Sequence, residues 1–216
     1  MFPDLTSDDI FRIETKRLWL RWPRATDAAA IKSFASLAEV AQMTAFIPHP
    51  YPAGEAERFV LQARADNSCG RAIVLAITQK SAGRAVIGVV AAEADQTQDV
   101  EIGYVLAPAY WGKGIATEAA KALIDTVFRL NCAERIVANA RVINPASRRV
   151  LEKCGLNYID TGLDMLPARG GLHPCDRFGL DRQSWMKQLA PRLLPSMLHQ
   201  ARSRENPPSD AETAAQ

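Results

Sequence analysis

Seven residues, Trp111-Gly112-Lys113-Gly114-Ile115-Ala116-Thr117, lie where a run that reads as a strand (99–106) gives way to one that reads as a helix (115–130). The first backbone N–H groups of a helix have no intrahelical partner, and the helix dipole makes that end positive. Glycines ahead of such an end let the chain approach an anion closely and adopt positive φ. The segment therefore reads either as a tight strand-to-helix turn or as a phosphate cradle. In the second reading Gly112, Gly114, Ile115 and Ala116 offer backbone, Lys113 adds charge, and Thr117 adds a hydroxyl. Neither GxxxxGK[ST] nor GxGxxG occurs here, which argues against a P-loop nucleotidase and a Rossmann dinucleotide site.

The surrounding elements follow from pattern. Alternation in KRLWLRWP (16–23) predicts a strand ended by Pro23, and Asp27 is placed to cap a helix over 27–43. FIPHPYP (46–52) carries three prolines and must be loop. Helical spacing recurs over 55–66, and strands are expected at 72–78, 85–94, 99–106 and 135–143. Asn144, Pro145 and Gly155 mark the N-cap, first turn and C′ position of another helix. A weaker strand is expected near LNYIDTG (156–162), and CDRFGLDRQSW (175–185) reads as a last strand and its exit. The strands 99–106 and 135–143 are joined through a long helix, a crossover that normally makes them parallel.

Composition limits the function classes. The chain has 216 residues, 48% apolar and 23% charged, ordinary values for one globular domain. The net charge of +2 gives no electrostatic case for nucleic acid. No apolar run is long enough to span a bilayer, and the acidic start lacks a signal-peptide pattern, so membrane is excluded and a cytoplasmic setting is expected. Four dispersed cysteines without a CxxC pair argue against zinc and a disulfide framework, and no metal is expected. The expected organisation is an N-terminal extension (1–12), one domain (13–189) and a polar, disordered tail (190–216).

Four motifs, in order, resemble the GCN5-related N-acetyltransferases (GNAT). VLAPAYWGKGIATEA is similar to the acetyl-CoA loop, [QR]-x-x-G-x-[GA] before a helix, with Trp111 in the first slot, Gly114 in the glycine slot and Ala116 in the last. NPASRRVLEKCGL is similar to the family's N-x-x-S-x-x-[VL]-[LY]-E-K-x-G-F, ETKRLWLRWPRATDAAAI to its opening strand and helix, and DRFGLDRQSW to its closing strand. The ribosomal-protein N-terminal acetyltransferases look like the nearest branch. The resemblance implies an α/β (α+β) fold: a bent mixed sheet of six to seven strands, two central parallel strands splayed around the pantetheine arm, and about four flanking helices. It makes acetyl-CoA the co-substrate and a primary amine the acceptor, most naturally a peptide or protein N-terminus. A small amine such as an aminoglycoside or polyamine, or a non-catalytic acetyl-CoA-binding module, is the alternative. Monomer and homodimer are both open.

Acetyl transfer needs a neutral amine attacking directly, through a tetrahedral intermediate. An α-amine, titrating near 8, is easily deprotonated by a carboxylate. Glu101 is the first candidate base and Glu93 the second, and the alternative for each is a strand-end carboxylate facing water. A free backbone N–H, if the strand bulges near Val105 or Leu106, would stabilise the oxyanion. The position of the tyrosine acid found in many relatives is Leu151. The resemblance to the ribosomal-protein branch makes Ser147 the candidate acid, although at N3 it could simply bond helix backbone. Asn144 is expected to cap its helix and to hydrogen-bond the pantetheine. Phe46 and Tyr51 could line the amine pocket.

Overall fold

The computed structural model describes residues 11–189 except 82, 84 and 95–98. The expected tail and most of the N-terminal extension lie outside the described residues. Eight strands form one sheet: β1 (Arg12–Glu14), β2 (Leu18–Arg21), β3 (Ala72–Gln79), β4 (Val86–Ala94), β5 (Asp99–Leu106), β6 (Arg135–Arg141), β7 (Asn157–Leu166) and β8 (Gly171–Asp181). The helices are α1 (Ala28–Ala35), α2 (Ala38–Ala41), α3 (Glu55–Ser68), α4 (Ile115–Leu130), α5 (Pro145–Lys153) and a last segment, α6, over 182–189. The strand order is β1-β2-β3-β4-β5-β6-β8-β7. A division of the chain into units falls between Arg182 and Gln183. Among the described residues no helix is long and apolar enough to cross a membrane.

Two layers of helix cover the sheet. β3 is apolar and buried along nearly all its length, as a strand covered on both faces must be. Ala56, Val60 and Ala63 of α3, with Ile31 and Phe34 of α1, pack on Val74, Ala76, Val86 and Val89. On the opposite face α4 buries Ile115, Leu123, Ile124, Val127 and Phe128, and α5 buries Leu151. In β5 and β6 burial alternates: Val100, Ile102, Ile136, Ala138 and Ala140 are buried, whereas Glu101, Gly103, Arg135 and Asn139 are exposed. Beyond β4, therefore, one face of the sheet carries α4 and α5, and the other is polar.

Most expected elements form, and α4 runs over the expected residues. The differences have local causes. β1, unexpected at three residues, is held by register pairing with β2, Arg12↔Arg21 to Glu14↔Trp19. The helix expected over 27–43 is broken at Leu37, whose ψ of 129° is extended. Asp27 does not cap α1. Its carboxylate accepts the Arg24 N–H at 2.7 Å and a two-pronged bond from Arg21 at 2.7 and 2.9 Å. β8 starts at Gly171, before Pro174, and the chain is helical from 182, where a strand exit was expected. Among the described residues the count is thus eight strands and six α-helices, above the six to seven and four expected.

Candidate active site

β5 and β6 are parallel but pair over only Asp99↔Arg135, Val100↔Ile136 and Glu101↔Val137. Beyond Glu101 and Val137 they part, while β5 stays paired with β4 as far as Gly88↔Leu106. The five residues from Ile102 to Leu106 thus flank a split in the sheet. The Ala107 N–H donates to the Ile87 carbonyl at 2.9 Å. Antiparallel alternation then turns the backbone polar groups of Gly103 and Val105 toward β4, and those of Ile102, Tyr104 and Leu106 toward the split. β5 keeps register with β4 throughout. The bulge falls at Ile87 of β4 instead, between Ile77↔Gly88 and Thr78↔Val86. Of the two backbone groups expected to face the reacting atoms, Leu106 faces the split and Val105 faces β4.

The glycine loop closes one end of that split. Gly112 and Gly114 have φ of 71° and 72°, in the region that favours glycine. Gly114 is the N-cap of α4 and provides no side-chain hydrogen bond, so the first N–H groups of a 16-residue helix lack a capping side chain. Trp111 stands where Gln or Arg is usual, and its indole Nε1 donates to the Leu106 carbonyl at 2.9 Å. The Lys113 ammonium lies 5.6 Å from the Tyr110 ring centroid. The Thr117 carbonyl faces the buried Cys154 thiol, 3.7 Å away.

Arg17 escaped the sequence reading. Its Nη1 donates to the Lys113 carbonyl at 3.0 Å, and its Nε and backbone N–H reach the Glu118 carboxylate at 2.6 and 2.8 Å. The Thr15 hydroxyl bonds the same carboxylate at 2.6 Å. Burial alone would raise the Glu118 carboxyl, but these bonds and the guanidinium charge hold it below 4.5. The acidic residue in the first turn of α4 is thereby matched by a cation, and the helix end remains suited to an anion. These facts fit a diphosphate of the kind carried by coenzyme A.

The candidate catalytic residues lie on opposite faces. Glu101 stands directly across from Glu93 on β4, at the last rung before the split. Tyr104, three positions on, points to the other face. Its Oη lies 2.9 Å from Ser147 Oγ and 3.1 Å from the Ser147 carbonyl. Burial pushes the Tyr104 phenol well above its ordinary range, with the Ser147 bond opposing weakly. Asn144 caps α5, its Oδ1 accepting the Ser147 N–H at 3.0 Å. The Ser147 hydroxyl is therefore engaged with Tyr104 rather than with helix backbone. No sequence signal joins Tyr104 to Ser147, which are 43 residues apart.

The loop 42–54 is clipped beyond the end of β6. Arg141 donates to the Gln42 carbonyl, Arg169 to the Ile47 carbonyl, and the Ala168 N–H to the Ala45 carbonyl at 3.0 Å. Arg141 shares its sheet face with Asn139, Val137 and Glu101, so this loop borders the Glu101 side of the split. Phe46, at its tip, is 75% exposed. Tyr51 packs against the α1–α3 core, and burial, then Glu55, raises its phenol.

The acetyltransferase (GNAT) domain model matches residues 17–157. The uncharacterized N-acetyltransferase YnaD of Bacillus subtilis is 30% identical over 145 residues, 67% of this chain and 81% of that protein. FsC-acetyl coenzyme A-N(2)-transacetylase of Aspergillus fumigatus is 27% identical over 100 residues, 45% of this chain and 43% of that protein. The chain thus spans less than half the length of that relative. Among solved structures, ribosomal-protein-S5-alanine acetyltransferase from Vibrio fischeri superposes with a TM-score of 0.68 at 21% identity, over 81% of this chain and 98% of that one. At that identity the likeness is one of fold.

Proposed function

Because the chain belongs to the GNAT acetyltransferase family, we propose that it transfers the acetyl group of acetyl-CoA to a primary amine, with a peptide or protein N-terminus as acceptor. One observation carries the reading: β5 and β6 pair for three residues and then part beside an uncapped helix end preceded by two left-handed glycines. The backbone of residues 112–117 and Lys113 would hold the diphosphate. The backbone groups of Tyr104, which face the split, would hold the pantetheine arm with Asn144. The co-substrate supplies a thioester carbonyl to attack and a thiolate to leave.

The chain's residues divide the remaining work by face. Glu101 takes the proton of the incoming ammonium, directly or through water, on the face bordered by the 42–54 loop. The amine nitrogen adds to the thioester carbonyl, whose π pair moves to oxygen; the tetrahedral intermediate then re-forms the carbonyl as the C–S bond breaks and its electron pair leaves on sulfur. Ser147 and Tyr104 serve the sulfur from the opposite face. The backbone N–H of Leu106 is the donor best turned to the developing oxyanion.

The neutral, aromatic tip at Phe46 and the fold shared with an S5-alanine acetyltransferase support a peptide acceptor. One observation favours a cationic small amine instead: Glu93 and Glu101 form a direct cross-strand pair of like charges on the acceptor face. Coenzyme A release, read as free thiol, separates the two. Peptides beginning with Ser, Ala or Met are set against polyamines and aminoglycosides. Turnover confined to peptides supports the proposal, and turnover confined to polyamines or aminoglycosides replaces its acceptor.

A further inference from the structure

We propose that Tyr104 is a positioning residue that switches the Ser147 hydroxyl between two hydrogen-bonded states, freeing its O–H to hydrogen-bond the leaving sulfur only when negative charge develops there. The inference deepens the acetyl-CoA reading and rests on it.

The geometry sets the two states. Tyr104 Oη has one proton and two acceptors in reach, the Ser147 carbonyl at 3.1 Å and Ser147 Oγ at 2.9 Å. When the phenol proton goes to the carbonyl, the Ser147 O–H points back to Tyr104 Oη and offers nothing to a ligand. When the phenol proton turns to Ser147 Oγ, that oxygen's lone pair is occupied and its own proton is free to point elsewhere. A hydroxyl that accepts a hydrogen bond donates a stronger one. A thiolate forming on the Ser147 side of the split selects the second state, and a thioester sulfur, a weak acceptor, does not.

The surroundings keep the switch neutral. Burial holds the Tyr104 phenol protonated, so it reorients its proton and does not surrender it. The neighbouring Cys154 thiol, pushed up to about 12 by burial, adds no charge at neutral pH. Asn144 fixes the Ser147 backbone N–H, so the serine cannot drift from the phenol. The bond also spans the split, since Tyr104 is on β5 and Ser147 is on the helix that follows β6. No covalent bond changes at Tyr104 or Ser147. The thiolate keeps its electron pair and gains a hydrogen bond.

The test uses coenzyme A labelled with 13C next to sulfur, bound to the full chain and titrated by NMR. The bound thiol of the unaltered protein should titrate below the ~8.5 of a free thiol. Tyr104→Phe and Ser147→Ala should each raise that value by about half a pH unit to one pH unit, and the double variant should match Ser147→Ala alone. Turnover should follow the same pattern, with kcat reduced about tenfold in each variant and unchanged KM for acetyl-CoA. A purely packing role for Tyr104 would leave the bound thiol unmoved, or would add to the loss in the Ser147→Ala background, and either result overturns the switch. Should Tyr104→Phe not fold, 3-fluorotyrosine at position 104, a more acidic donor of nearly the same shape, should lower the bound thiol's value, and no change overturns the proposal. Failure of coenzyme A to bind would instead remove the acetyl-CoA reading on which both stand.

Discussion

The indole N–H of Trp111 donates to the Leu106 carbonyl across 2.9 Å, tying the glycine loop to the last residue of β5. The two ends of the proposed co-substrate site, the diphosphate loop and the strand edge, are therefore directly joined. Trp111→Phe keeps a ring and loses the donor. Losing a hydrogen bond of about 1 kcal/mol should weaken coenzyme A binding about fivefold in a calorimetric titration. The melting temperature should fall by only a few degrees, because Trp111 is 44% exposed.

Gly114 is constrained by its backbone and not by crowding. A Cβ there would lie 3.6 Å from Arg17 Nη2, an ordinary contact, but φ is 72°. Gly114→Ala should cost about 1–2 kcal/mol in urea unfolding, from left-handed strain alone. Gly114→Asn should cost less, because Asn tolerates that region. Equal losses for the two would point to a steric cause instead.

Glu118 ties stability to acid. Its folded-state carboxyl is held below 4.5 by bonds from Thr15 and Arg17. A depressed carboxyl stabilises above its unfolded value and loses that contribution as pH falls through the folded value. The unaltered protein should therefore lose more stability between about pH 5 and pH 3 than Glu118→Gln does. Denaturant melts at the two pH values check the sign, and parallel losses would remove Glu118 as the cause.

Glu101→Gln removes the proposed base while keeping the side-chain shape at the last β5–β6 rung. kcat should fall about 100-fold with little change in KM for acetyl-CoA. Glu93→Gln, one strand away, should cost less. The reverse order would move the base to β4.

The elements around the loop were legible because their signals are local. Asn144, Pro145 and Gly155 mark α5 within a dozen residues, and the apolar spacing of α4 repeats over four turns. β1 was not legible, since three residues carry no period and depend on β2 for pairing. The start of β8 was not legible either, since residues 171–174 carry no apolar period and depend on β7 for pairing, from Leu166↔Gly171 to Leu163↔Pro174. The site was half legible for the same reason. The loop, Asn144 and Ser147 sit inside motifs and Glu101 on an expected strand, whereas the roles of Arg17 and Tyr104 depend on partners 101 and 43 residues away. The faces of β5 follow from alternation, but its bonding direction needed the Ala107–Ile87 contact.

The central claim is that residues 112–117 hold a diphosphate while the β5–β6 split holds the arm attached to it. Calorimetric titration of coenzyme A, and of pantetheine lacking the diphosphate, tests this directly. Coenzyme A should bind about 100-fold or more tightly than pantetheine, the size of several charge-assisted bonds at a helix end. Equal binding of the two, or none of either, would contradict the account.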